Sequence, residues 1–175
     1  QNAITKDKQK SFFYLEFGVW KGDSINFLSS FLNNKEIYGF DSFKGLREDW
    51  LGGYINHSKG KYDLKKKLHN FKKNVKIVEG WVQDTLIKFL NEKKPNINFV
   101  HMDVDTYESS KFILKNIKPY LVKDAIIIFD ELYDFPGWEE GEHKALMEVF
   151  DEKELRYLAF NKFFNQVTIK FIKDE

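Results

Sequence analysis

The chain has 175 residues, 42% hydrophobic and 17% aromatic, which is enough apolar surface to pack one domain. Its 28 Lys and Arg residues nearly balance 27 Asp and Glu residues, so composition gives no strong field to attract nucleic acid or an anionic membrane. The absence of cysteine excludes disulfides, thiolate zinc sites and a cysteine nucleophile. We therefore expect a cytoplasmic protein that binds small molecules and neither nucleic acid nor membranes.

The beginning of the chain differs from the rest. Residues 1–10 form a polar segment without periodicity, so we expect a single domain over residues 11–175. Residue 1 is Gln rather than Met, which is compatible with a piece of a longer polypeptide. The longest apolar runs are far shorter than the ~20 residues that cross a bilayer, and no signal peptide is recognisable.

Short apolar runs alternate with amphipathic stretches along the chain. The runs predict strands buried on both faces at Phe12–Phe17, Glu36–Phe40, Val75–Glu79, Ile97–Met102 and Ala125–Phe129. Apolar residues spaced three or four apart predict helices at Ser24–Leu32, Asp63–Phe71, Thr85–Asn91, Ser109–Leu121 and Glu142–Phe150. This alternation predicts a doubly wound α/β fold with a mostly parallel sheet. Leu155–Phe160 and Gln166–Ile172 predict a C-terminal antiparallel hairpin.

In open α/β sheets, ligands bind beyond the carboxyl ends of the strands. The first predicted strand runs into a glycine turn from Glu16 to Ser24, of the form E-x-G-x-x-x-G, which lets a ligand approach the backbone closely. This spacing departs from the G-x-G-x-x-G of dinucleotide binders. The second strand is followed by Asp41, whose carboxylate can accept hydrogen bonds from ribose hydroxyls. Each feature alone also fits a turn of purely steric origin, but together they favour a nucleoside ligand.

The third strand is followed by the sequence GWVQDT at residues 80–85. Trp81 can stack on an adenine while Gln83 or Asp84 meets its polar edge, although Asp84 can equally cap the next helix. This segment is a second candidate for the nucleoside site.

Four carboxylates follow the last two parallel strands. They are Asp103, Asp105, Asp130 and Glu131. Neighbouring carboxylates repel one another unless a proton or cation compensates them, and hard oxygen ligands suit Mg²⁺, Ca²⁺ or Mn²⁺. The pattern predicts a divalent cation site, and the alternative is that single members cap helices or face solvent.

These motifs resemble the macrocin O-methyltransferase family, within the class I S-adenosylmethionine-dependent methyltransferases. The matching stretches occur in the family's order at residues 15–22, 39–46, 79–86, 102–107 and 126–133. The family usually has a pair of aspartates at the last of these, and here the second is Glu131. Glutamate keeps the charge but is one methylene longer, which changes the geometry of a bound metal.

The resemblance implies a methyltransferase domain that transfers a methyl group from S-adenosyl-L-methionine to a hydroxyl of a sugar or secondary metabolite. Similarity to catechol-type enzymes implies Mg²⁺ or another divalent cation held by Asp103, Asp130 and Glu131. The implied cofactor shell comprises Glu16, Gly18, Gly22, Ser24, Asp41, Ser42, Gly80, Trp81, Val82, Gln83 and Asp103. Members of the family often form oligomers, so the resemblance is also compatible with a homo-oligomer.

The catalytic base is less well determined. The lysine base of catechol enzymes falls at Thr106, which cannot act as a base at neutral pH, so Asp105 takes this role in our interpretation. His143 is a second candidate because it follows a loop rich in Gly, Pro and acidic residues, although a histidine near a helix start is more often structural.

Other readings remain open at this stage. The chain also fits a catalytically inactive nucleoside-binding module, or less well an NAD-dependent oxidoreductase, which the glycine spacing disfavours. The lysine-rich stretch 59–73 fits a solvated helix face better than a nucleic-acid patch. Trp50, Tyr54 and Trp138 either line an acceptor pocket or pack within loops.

Overall fold

A computed structural model of the protein describes residues 12–33, 35–50, 55–65, 70–161 and 165–172. The described residues contain one seven-stranded sheet with the order β3-β2-β1-β4-β5-β7-β6. Its strands are β1 (Phe12–Phe17), β2 (Ile37–Asp41), β3 (Val75–Glu79), β4 (Asn96–Met102), β5 (Leu121–Phe129), β6 (Leu155–Phe160) and β7 (Val167–Phe171). The first five strands pair in parallel, whereas β7 is antiparallel to both β5 and β6. The predicted doubly wound fold and its C-terminal hairpin are confirmed.

Four α-helices lie among the described residues. They are α1 (Asp23–Ser29), α2 (Val82–Lys93), α3 (Tyr107–Ile117) and α4 (Glu142–Val149). Short 3₁₀ turns follow at Lys118–Tyr120, Trp138–Glu140 and Glu152–Glu154. The predicted helix to Leu121 ends earlier, at Ile117, because Pro119 cannot continue the α-helical hydrogen bonding and Leu121 already starts β5. None of the described residues is in a helix long and apolar enough to span a membrane.

Some expectations concern residues beyond the described ranges. The predicted helix Asp63–Phe71 falls partly there, at residues 66–69, and Tyr54 and the polar segment 1–10 also lie there. Of the predicted helix, residues 63–65 and 70–71 are described and are not helical.

The sheet carries a hydrophobic core on each face. Alternate residues of β1 show this directly, because Tyr14 packs in one cluster with Ile25 of α1, and Leu15 packs in the other with Leu114 of α3. All four side chains are 0% exposed. Full burial on both faces explains why the central strands read as continuous apolar runs rather than as alternating ones.

The order of the strands also fixes where a ligand can bind. The chain moves outward from β1 to β2 and β3 and then returns to the other side of β1 with β4. The carboxyl ends of β1 and β4 therefore form the point where the strand order reverses, and this is where α/β sheets open a crevice.

Candidate active site

The glycine turn after β1 packs tightly against the end of β4. Gly18 has a φ of 83°, and a Cβ placed on it would lie 1.6 Å from the carbonyl oxygen of Asp103. The backbone N–H of Asp103 in turn donates to the carbonyl of Phe17 at 2.9 Å. From the sequence, we expected Gly18 to let a ligand approach the backbone. In the structure, the position requires glycine because the backbone of Asp103 lies so close.

Asp41 holds the same turn from the other side. Its Oδ2 accepts hydrogen bonds from the backbone N–H groups of Val19 at 2.8 Å and Trp20 at 2.7 Å. Its Oδ1 accepts from the N–H of Phe43 at 2.7 Å. A carboxylate offers about four lone-pair sites, so three are used by the protein and one is left for a ligand.

Gly80 to Gln83 connect β3 to α2 and form the third side of the site. Trp81 caps α2, and Arg47 lies with its guanidinium carbon 5.8 Å from the centre of the Trp81 ring. Arg47 Nη1 also donates to Gln83 Oε1 at 2.9 Å. These contacts place an aromatic ring beside a polar side chain.

Three of the predicted cofactor residues lie beneath this surface. Glu16 is 0% exposed, and its Oε1 accepts a hydrogen bond from Ser24 Oγ at 2.8 Å. Its Oε2 lies 3.2 Å from Nδ1 of His101, which is also buried. A Cβ on Gly22 would lie 2.6 Å from the Phe71 ring. Glu16, Gly22 and Ser24 therefore support the turn from below.

His101 was not singled out from the sequence because it lies inside an apolar strand. Burial lowers its pKa, but the hydrogen bond to Glu16 and the negative charges of Glu16 and the nearby aspartates outweigh burial and raise the pKa above 6.5. His101 thus lies beside the acidic region, with its ring next to Glu16.

Two of the predicted metal ligands come together above His101. One carboxylate oxygen each of Asp103 and Asp130 and one nitrogen of His101 all lie within 4.8 Å of one another. Burial and the charge of Asp130 raise the pKa of Asp103 well above 3.8. Gln166 Nε2 donates to Asp130 Oδ1, an orienting contact that the sequence gave no means of predicting.

The third predicted ligand, Glu131, is placed differently. Its carboxyl is hydrogen-bonded to that of Asp105, and burial together with this bond raises the pKa of Glu131. Burial also raises the pKa of Asp105, while the same bond lowers it. Asp105 itself has a φ of 62°, a left-handed conformation that Asp tolerates better than most residues.

The glycine turn, Asp41, the Gly80–Gln83 segment and the carboxylates all border one cavity of about 290 Å³, close to the lower limit of ~300 Å³ for small-molecule pockets. Of the predicted site residues, those that line it are Gly18, Asp41, Ser42, Gly80, Trp81, Val82, Gln83, Asp103, Asp105, Asp130 and Glu131. Sequence reasoning missed other lining residues, among them Trp20, Arg47 and Tyr62.

Residues 15–132 of the chain match the sequence model that describes a methyltransferase domain. The chain belongs to this methyltransferase domain family. No curated protein matches it in a sequence search.

Several solved structures with the same fold are described as methyltransferases. The crystal structure of CalS11, a calicheamicin methyltransferase, has a TM-score of 0.72 and 24% identity, covering 91% of this chain and 72% of that one. Its apo structure is described as a TDP-rhamnose 3'-O-methyltransferase. The O-methyltransferase NovP has a TM-score of 0.61 and 19% identity over 93% of this chain and 72% of that chain. An O-methyltransferase from Bacillus cereus, in complex with SAH, has a TM-score of 0.63 and 15% identity over 92% and 74% of the two chains.

The donor atoms in this methyltransferase domain fit a divalent cation. Two carboxylates and an imidazole within reach of one another are ligand types that Mn²⁺ and similar cations accept, and carboxylates also suit Mg²⁺. Burial and then repulsion from Asp130 raise the pKa of Asp103, and a cation would offset that repulsion. Among the described residues, this group contains two of the three predicted ligands and replaces Glu131 with His101.

Glu142, the first residue of α4, is a buried acid that the sequence reading passed over. It is 1% exposed, its Oε1 accepts from Ser110 Oγ at 3.4 Å, and its Oε2 has no hydrogen-bond partner. Burial, and then the charges of Asp105 and Asp103, raise its pKa well above 4.5. A backbone hydrogen bond from Val104 ties it to the loop between these two aspartates.

His143, the second base candidate, is the neighbour of Glu142 but does not line the cavity. Its ring lies 4.6 Å from that of Trp138 in an edge-on contact, and burial lowers its pKa below 6.5. The structure therefore gives His143 a packing contact and brings Asp105, rather than His143, to the cavity.

Proposed function

We propose that this methyltransferase domain transfers a methyl group from S-adenosylmethionine to a hydroxyl of a small molecule, with a divalent cation bound by Asp103 and Asp130. One observation carries the proposal. A single cavity joins a nucleoside-type half, formed by Gly18, Asp41 and the Gly80–Gln83 segment, to a half lined by four carboxylates. The macrocin-like resemblance of the same motifs supports a sugar or secondary metabolite as acceptor.

The nucleoside half binds the donor by side-chain and backbone contacts. The remaining lone pair of Asp41 accepts a ribose hydroxyl, and the Trp81 ring stacks on the adenine while Gln83 meets its polar edge. The sulfonium of the donor supplies an activated methyl group. The main task of the protein is then to align the acceptor oxygen with that methyl group, and alignment can lower a barrier by ~7–11 kcal/mol in favourable cases.

The acidic half prepares the acceptor oxygen. Asp103 and Asp130, with His101 beneath them, would hold the cation, which as a Lewis acid would make the acceptor hydroxyl more acidic. Asp105 takes the proton of that hydroxyl, since the hydrogen bond from Glu131 favours its ionised form. The oxygen–methyl bond forms as the sulfur–methyl bond breaks, so the donor becomes S-adenosylhomocysteine and the proton remains on Asp105.

The cation requirement can be tested without changing the fold. Methyl transfer to a panel of hydroxylated acceptors should depend on added Mg²⁺ or Mn²⁺ and stop in a chelator. Asp103→Asn should lose this dependence together with the activity, whereas Asp49→Asn, in an exposed loop, should keep both. Full activity in the presence of chelator would contradict the role of the cation.

A further inference from the structure

The acidic half of the cavity is faced by two aromatic residues, Trp20 and Tyr62. Both line the cavity, and their ring centres lie 5.6 Å apart at 74°. Trp20 is 41% exposed although it is large and hydrophobic. An exposed tryptophan at the mouth of a cavity, packed edge-on against a tyrosine, presents apolar surface to whatever enters.

The backbone at both residues is strained. Trp20 has a φ of 45° and Tyr62 a φ of 70°, in the left-handed region that costs a residue with a side chain about 1–2 kcal/mol. Asp41 accepts the N–H of Trp20, and next to Tyr62 the carbonyl of Lys61 accepts the N–H of Leu46. Strain maintained in this way clusters at ligand-binding sites.

A chain of rings continues from this pair to Phe135, in the loop after β5. Tyr62 packs on His57 at 5.6 Å, His57 stacks on Trp50 at 5.2 Å, and Trp50 meets Phe135 at 6.3 Å. The backbones of Trp50 and His57 exchange two hydrogen bonds of 2.8 and 2.9 Å. The rings thus connect the turn after β1 to the loop after β5 and fix the position of Tyr62.

The hydroxyl of Tyr62 belongs to the acidic half of the cavity. Burial, and then the charges of Asp105, Glu131 and Asp103, raise the pKa of Tyr62 to about 12. At neutral pH the phenol therefore keeps its proton and can donate a hydrogen bond. A neutral donor among carboxylates offers a polyhydroxylated ligand a donor beside several acceptors.

We propose that Trp20 and Tyr62 form the wall that orients the acceptor, with the acceptor ring packed against the two aromatic rings and the Tyr62 hydroxyl donating to a second hydroxyl of that acceptor. This inference rests on the proposed methyl transfer. The carboxylates repel an anionic group at the reacting end, so the ring that contacts this wall is neutral and carries at least two hydroxyls. Tyr62 and the Trp20 ring are then positioning residues for the acceptor, while the backbone N–H of Trp20 stays bonded to Asp41 on the donor side.

The test measures binding of two probes to protein saturated with S-adenosylhomocysteine and Mg²⁺. The probes are methyl α-rhamnoside and TDP-rhamnose. Their binding is measured by ligand-observed NMR titration. Tyr62→Phe should weaken probe binding about 5–10-fold through loss of one hydrogen bond, and Trp20→Ala should weaken it about tenfold or more. Calorimetry should show that Tyr62→Phe keeps the wild-type affinity for S-adenosylhomocysteine.

Tyr38→Phe provides the matched control. The pKa of Tyr38 is also raised to about 12, by burial and by its hydrogen bond to Glu36, but Tyr38 lies in β2 and does not line the cavity. This variant should bind both probes as the wild type does. If Tyr62→Phe and Trp20→Ala bind the probes as tightly as the wild type does, the proposal is overturned. A wild type that binds S-adenosylhomocysteine but neither probe would overturn it as well. A wild type that fails to bind S-adenosylhomocysteine would overturn the proposed function itself.

Discussion

The polar groups in the two halves of the cavity differ in how far the protein itself satisfies them with hydrogen bonds. In the nucleoside half, Asp41 accepts three backbone N–H groups, and Arg47 and Gln83 bond to each other. In the acidic half, one carboxylate oxygen each of Asp103 and Asp130 lie within 4.8 Å of each other, and the buried Glu142 keeps an unpartnered oxygen.

The polar groups of the nucleoside half therefore contribute to the structure of the site, whereas the carboxylates of the acidic half are arranged to bind a ligand. Hydrogen bonds that satisfy a buried carboxylate stabilise the fold, whereas crowded carboxylates destabilise it until a cation or proton binds. We therefore expect mutations in the nucleoside half to lower both stability and donor affinity. Mutations in the acidic half should lower activity while leaving stability unchanged or raising it.

The largest effect is expected at Asp105. Asp105→Asn removes the proposed base and should lower turnover about 10²–10⁴-fold, the usual contribution of general-base catalysis. Affinity for S-adenosylhomocysteine should not change, and Mn²⁺ should still bind, because Asp103 and Asp130 remain. Single-turnover kinetics with a responsive acceptor measures the loss, and turnover within threefold of the wild type would exclude Asp105 as the base.

Gly18→Ala should mainly affect the fold. The added Cβ meets the Asp103 carbonyl oxygen at a positive φ, so overpacking and backbone strain together should cost about 2–5 kcal/mol of unfolding free energy. Urea denaturation measures this cost. Gly60→Ala is the matched control, since Gly60 has a similar φ of 81° but open space around its Cβ position. Equal losses in the two variants would show that the contact with Asp103 is unimportant.

Asp41→Ala should combine the two kinds of loss. Removing the carboxylate frees three backbone donors and takes away the proposed ribose partner, so donor affinity should fall by about 1.5–3 kcal/mol, the range for hydrogen bonds to a charged group. Thermal stability should fall as well. Asp49→Ala also loses a backbone hydrogen bond, from Lys59, and should leave donor affinity unchanged in calorimetry. If Asp41→Ala loses stability but keeps donor affinity, Asp41 only holds the turn.

The effect expected at Glu142 depends on pH. Its pKa is raised in the folded state above the ordinary 4.5, so its contribution to stability is complete below pH 4.5 and is lost as pH rises toward the folded pKa. Glu142→Gln removes this titration. The variant should gain stability relative to the wild type between pH 5 and pH 8, by at most about 1.4 kcal/mol per pH unit for one proton.

Denaturant unfolding without divalent cations, compared at pH 5 and pH 8, measures this difference. Glu148→Gln is a suitable control, because Glu148 lies on the same helix but is exposed and its pKa is lowered by its hydrogen bonds to Lys111 and Tyr107. A constant difference between Glu142→Gln and the wild type at both pH values would contradict the account of Glu142.

Local signals in the sequence predicted most of the fold. The central strands are continuous apolar runs in the sequence, and the helices have apolar residues spaced three or four apart. The sequence also placed Asp103, Asp105 and Asp130 at one edge, because parallel strands end together there. It could not assign partners among these carboxylates, since the bond between Asp105 and Glu131 depends on side-chain geometry across two strands.

The residues that sequence reasoning missed were all missed for the same physical reason. His101 lies within an apolar strand and Glu142 at the start of an ordinary helix, where neither position carries a local sign of its distant neighbours. Tyr62 lies in the long connection after β2, and only the tertiary structure brings it to the cavity. Such contacts join residues far apart in the chain, which periodicity cannot detect.

The most direct test of the account is a calorimetric titration of the wild-type protein with S-adenosylhomocysteine and, separately, with NAD. We predict one bound S-adenosylhomocysteine per chain, weakened by Asp41→Ala, and no binding of NAD. Binding of NAD with no binding of S-adenosylhomocysteine would contradict the assignment of this cavity to a methyl donor.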